Sequence, residues 1–93
     1  MSTNANVIVG EAIRRIREAV GLSQEKLAEK AAITYQYLSG IESGKKNFTV
    51  GVLQAIATAL GLGVDALVAA AFADNQPVPV VDQRYFIKNS ALP

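Results

Sequence analysis

With neither histidine nor cysteine in its 93 residues, the chain has no imidazole for acid–base work, no thiol nucleophile and no soft ligand set for zinc. No carboxylate pair and no phosphate-binding glycine loop takes their place, so an enzyme is the weakest reading and no metal or cofactor is expected. What remains is hydrogen-bonding and ionic chemistry: the amides of Gln24, Gln36 and Asn47, the phenols of Tyr35 and Tyr37, and the ammonium groups of Lys45 and Lys46. A glutamine amide can pair in bidentate fashion with adenine N6 and N7, and an ammonium can hold a phosphate. The net charge is only +1, but phosphate contacts need local rather than global positive charge. Arg14, Arg15 and Arg17 cluster near the amino terminus, and Lys45 and Lys46 stand side by side. Taken alone, such clusters read first as a solvated face.

Two short helical patterns must position these groups. The first runs from Ser23 to Ala31, with Leu27, Ala28 and Ala31 on one face at helical spacing. The second runs from Thr34 to Ser43, with Leu38 and Ile41 inward and Ile33 just ahead of it. Ser23 and Thr34 are residue types that accept hydrogen bonds from the open amides of a helix start. Gly44 stands where a helix end favours positive φ. Two helices joined by so tight a turn form a helix-turn-helix, whose second helix can enter a DNA major groove. Beside a helix-turn-helix the solvated-face reading gives way for Lys45 and Lys46.

This stretch resembles the XRE-type family of phage repressors and Cro proteins, and the resemblance covers roughly residues 8 to 72. Arg17 and Gly21-Leu22-Ser23-Gln24 match that family's first helix end and second helix start. Ile41-Glu42-Ser43-Gly44 matches the end of its recognition helix, and Thr49, Leu53, Ile56, Ala57, Leu60 and Gly61 match its fourth helix. Tyr37 to Glu42 followed by Lys45-Lys46-Asn47 is most similar to controller proteins of restriction–modification systems. Ala32 departs from the pattern, standing where the family usually has glycine. Alanine in a left-handed conformation costs about 1 kcal/mol, so the turn is either slightly strained or differently built.

The resemblance implies an all-α, five-helix, lambda-repressor-like domain over residues 1–73, with its helix-turn-helix at helices 2 and 3. It also implies roles. Tyr35 and Gln36 lead as base readers, with Thr34, Tyr37 and Ser39 as further DNA contacts; half-buried packing is the rival reading for both tyrosines. Gln24 would direct its amide at a phosphate, as would Lys45, Lys46 and Asn47. Gly40 would read nothing but let the helix sit close. Glu42, which would repel phosphate, is expected to pair with Arg17 as a structural tie between helices 1 and 3.

Val50 to Ala73 is almost wholly apolar. A membrane span is disfavoured by Asp65 and by Gly61, read as the stop of helix 4, with Gly63 opening helix 5. An apolar excess in so small a domain suggests burial against a second copy. Val64, Leu67, Val68 and, as a further candidate, Phe72 are the expected dimer contacts, with Leu67 the one expected to be shared with the monomer core. Residues 74–93 carry Pro77 and Pro79, then the β-prone Tyr85-Phe86-Ile87, and are expected as an extended or partly disordered tail that could hold a protein partner. The resulting expectation is a homodimeric, sequence-specific transcriptional regulator on double-stranded DNA with an inverted-repeat operator. Its rival is an antitoxin that binds its toxin through the tail. A cytoplasmic location fits the absence of cysteine and of any signal-like amino terminus.

Overall fold

The computed structural model describes residues 4–73, so every expectation about the tail 74–93 lies outside the described residues. The described chain is five helices: α1 (Ala5–Ala19), α2 (Gln24–Ala31), α3 (Tyr35–Glu42), α4 (Val50–Ala59) and α5 (Val64–Ala73). Four start in the same way. The side chains of Asn4, Ser23, Thr34 and Thr49 accept from the backbone amides of Asn6, Lys26, Tyr37 and Val52, satisfying donors that have no partner within the helix. Gly44 and Gly61 follow α3 and α4 at φ +78 and +82. At the end of α2 the same left-handed geometry falls to Ala32, with φ 60 and ψ 39. The expected strain is therefore present, because the Ile33 amide must reach back to the Ala28 carbonyl at 3.0 Å to close the helix.

Helix α1 packs on α3 and α5, α2 packs on α3 and α4, and α4 packs on α5. Ile13, Leu27, Leu38, Ile41, Ile56 and Leu67 are the largest fully buried side chains, drawn from every helix. Burying each contributes roughly 1.5–3 kcal/mol. Where α1 crosses α3, Gly10 is buried, and a Cβ there would run into the carbonyl oxygen of Ile41. The missing side chain sets how closely the two helices approach.

The apolar stretch from Val50 is two helices bent at 90°, and among the described residues no single helix is long and apolar enough to cross a membrane. In α5, Leu67 and Ala71 are buried, whereas Val64, Val68 and Phe72 are partly buried against the core. Leu67 lies in the monomer core, as expected, but its expected share in a dimer interface is corrected. With no exposed surface of its own, it is consumed by the monomer core and offers nothing to a second chain.

Candidate nucleic-acid interface

Helix α3 has eight residues and is held at its carboxyl end by a buried polar tie. The Arg17 guanidinium donates from Nε to Glu42 Oε2 at 2.7 Å and from Nη2 to Glu42 Oε1 at 3.0 Å. The two side chains are 10% and 2% exposed. Such a fork-on-fork arrangement fixes direction as well as distance. Arg17 Nη1 also donates to the Leu22 carbonyl at 2.9 Å, tying in the turn between α1 and α2. The hydrogen bonding to Glu42 is the main influence raising the Arg17 pKa above its ordinary value, and burial opposes it. One carboxylate thus joins α1, the start of α2 and the end of α3.

Gln24 completes that tie, which changes its expected role. Its Nε2 donates to Glu42 Oε1 at 2.8 Å, so the amide turns inward to the carboxylate instead of outward to solvent. The physical reason is the buried Glu42 oxygen, which gains more from a third donor than an exposed amide gains from water. Only the second amide hydrogen remains for an outside acceptor.

On the outer side of α3, Tyr35 is 43% exposed and Gln36 is exposed beside it. Thr34 is exposed, and its oxygen caps the helix by accepting from the Tyr37 amide at 3.0 Å. Tyr37 is partly buried against the core, and its hydroxyl donates to the Asn47 carbonyl at 2.8 Å. Its ring serves packing and its hydroxyl serves the loop after α3. Ser39 is half-buried. Lys45, Lys46 and Asn47 are exposed on that loop, whose backbone is fixed because the amides of Lys45 and Lys46 both donate to Gly40, at 2.8 and 3.1 Å. A Cβ on Gly40 would meet the Lys46 methylenes, so the glycine leaves room for that side chain to lie along the helix. Arg14 and Arg15 are exposed on α1. Among the described residues no cluster of acids could hold a metal ion.

Asn6 escaped the sequence reading. From the first turn of α1 its amide donates to Asn47 Oδ1, 41 residues away. A lone asparagine near a terminus carries no periodicity or motif, so nothing local announces the contact.

An exposed polar helix face flanked by a basic loop, on a crossed helix pair, is the geometry of groove recognition. The helix-turn-helix family model matches residues 13–67. The chain belongs to the XRE-type helix-turn-helix family. It is 43% identical over 60 residues to the immunity repressor protein of Bacillus phage phi105, covering 64% of this chain and 42% of that protein. This XRE-type chain therefore spans less than half the repressor's length. It is 35% identical over 63 residues to the control protein C.BamHI of Bacillus amyloliquefaciens, covering 67% of this chain and 78% of the relative. Among solved structures it is similar to the restriction–modification controller protein C.Esp1396I, seen as a tetramer in complex with its natural 35-base-pair operator. The TM-score is 0.66 at 28% identity, covering 76% of this chain and 99% of that chain. The family, the all-α fold and the kinship with restriction–modification controllers agree with the sequence reading.

Proposed function

We propose that this XRE-type domain binds double-stranded DNA in a sequence-specific manner as a two-fold dimer and so regulates transcription, in the manner of a restriction–modification controller. The observation carrying this reading is the exposed Tyr35–Gln36 face of α3, held rigid from behind by the buried Arg17–Glu42 pair and flanked by Lys45 and Lys46. A preorganised helix spends less of its binding energy on ordering. In this reading Gln36 and Tyr35 read base edges in the major groove, while Lys45, Lys46 and Asn47 hold phosphates beside it. Thr34 and Ser39 lie on the same helix as secondary contacts, and Gln24 adds its remaining amide hydrogen at the start of α2.

One recognition helix covers too few base pairs to select a site in a genome. A second copy, docked through the partly buried Val64, Val68 and Phe72 of α5, would supply the other half-site. Two-fold symmetry then calls for an inverted repeat, with half-sites about 34 Å apart so that both helices enter one face of the duplex. The relatives support this: one is an immunity repressor, another is a control protein, and a third is a controller assembled on its operator. Work on DNA also fits a cytoplasmic location.

The test is Gln36→Ala, titrated against a selected operator and against random-sequence duplex. Operator affinity should fall by roughly 1–3 kcal/mol, the usual value of a bidentate base contact, while random-sequence binding stays nearly unchanged. Equal losses on both DNAs would make Gln36 a positioning group and refute the base-reading role.

A further inference from the structure

We infer that Asn6 and Tyr37 are positioning residues for DNA binding, acting through Asn47 to hold the Lys45–Asn47 loop as a preformed phosphate clamp. The inference rests on the reading of that loop as the phosphate-contacting segment. Asn47 is gripped from two directions. The Tyr37 hydroxyl donates to its main-chain carbonyl at 2.8 Å, and the Asn6 amide donates to its side-chain oxygen. Behind it, the Gly40 carbonyl accepts from both Lys45 and Lys46. The loop is thus tied to α3 and to the first turn of α1 without any DNA present.

The grip on the side chain has a chemical consequence. An asparagine amide carries one acceptor oxygen and one donor nitrogen, and a phosphate oxygen accepts but does not donate. Asn6 occupies the Asn47 oxygen, so the Asn47 nitrogen, with two hydrogens, is the end left for an outside acceptor. In water an exposed asparagine samples both orientations. Here Asn6 selects the donor-outward one, which is the only one a phosphate can use. The Asn6 backbone is separately held, its N–H bonded to Asn4 Oδ1 at 2.7 Å, so removing its side chain leaves the helix start intact.

The experiment measures binding of the full chain to a random-sequence duplex across a range of salt concentrations, because phosphate contacts supply that affinity. Asn6→Ala should weaken binding by about two- to tenfold, the range for ordering one or two side chains only at binding. The salt dependence should be unchanged, since no charge has been removed. Asn47→Ala should weaken binding at least as much, and the Asn6→Ala/Asn47→Ala double variant should be no weaker than Asn47→Ala alone. In the free Asn6→Ala protein, amide hydrogen exchange should quicken at Lys45 and Lys46 but not at buried Leu38. Tyr37→Phe, which keeps the ring and its packing, should quicken exchange at the same two amides. Additive losses in the double variant would mean that Asn6 touches DNA itself, which overturns the proposal. So would an Asn6→Ala chain that binds like wild type with unaltered exchange. If Lys46→Ala lowers affinity and salt slope while Asn6→Ala does neither, the clamp fails and the DNA reading stands. A wild-type chain that binds no duplex overturns both.

Discussion

The α2–α3 pair and the α4–α5 pair solve the same packing problem by different means. Helices α2 and α3 have eight residues each, and both are capped by a side chain at the start. The carboxyl end of α3 is pinned by Arg17 and Gln24 through Glu42. Helices α4 and α5 have ten residues each, carry no basic residue, and bury Leu53, Ile56, Ala57, Leu67 and Ala71. Both pairs bury apolar side chains, but directional bonds fix the orientation of α3 in addition. The longer apolar pair has surface to spare, with Val50 74% exposed and Val64, Val68 and Phe72 only partly covered. One half of the domain is fixed by directional polar bonds, and the other leaves apolar surface partly uncovered.

The difference can be broken at its polar end first. Arg17→Ala leaves a carboxylate of 2% exposure with Gln24 as its remaining side-chain donor. Destabilisation should reach about 3–5 kcal/mol, the range for stranding one member of a buried pair. A thermal melt unchanged within error would remove the tie from the account. Arg17 should not by itself make stability depend on pH in the working range. Its pKa is raised by the hydrogen bond to Glu42, so the stability it contributes is fully present up to the ordinary arginine range and is lost only as pH rises beyond it.

At the apolar end the proposed dimer is the target: Val68→Asp should give folded monomers that bind the proposed inverted-repeat operator about a hundredfold or more weakly, because each half-site then acts alone. Sedimentation decides it. A wild-type chain that is monomeric at micromolar concentration, or a Val68→Asp variant that stays dimeric, would sink the α5 interface.

Between the two halves lies the α1–α3 crossing. Gly10→Ala forces a methyl against the Ile41 backbone, which cannot rotate away as a side chain can. A loss of about 1–3 kcal/mol should follow in denaturant unfolding, as for overpacking elsewhere. It should be accompanied by altered α3 amide shifts while α4 is undisturbed. An undisturbed α3 would show that the crossing tolerates a side chain. The smallest effect is a gain. Ala32→Gly relieves the left-handed alanine, and stability should rise by up to about 1 kcal/mol with DNA binding unchanged. A lower melting temperature would mean that the extra freedom of the unfolded glycine outweighs the strain.

Much of this was legible along the chain because it depends on neighbours in sequence. Apolar spacing set the α2 and α3 faces, Ser23 and Thr34 announced the helix starts, and Gly44 and Gly61 the ends. The Arg17–Glu42 pairing was legible only through family resemblance, since 25 residues separate the two. The division of labour within the site was not legible. Whether Gln24 faces a carboxylate or solvent, and whether Tyr37 spends its hydroxyl on Asn47, depends on atoms brought close by the packing of other helices. For Leu67 the sequence reading pointed to the core, but only the packing of α5 on α1 shows that no surface of it is left over. Local propensity and periodicity belong to the sequence because they act over one or two turns. Which donor meets which buried acceptor, and which apolar surface is left over, belongs to the tertiary structure, because both are settled by competition for partners that are distant in the chain.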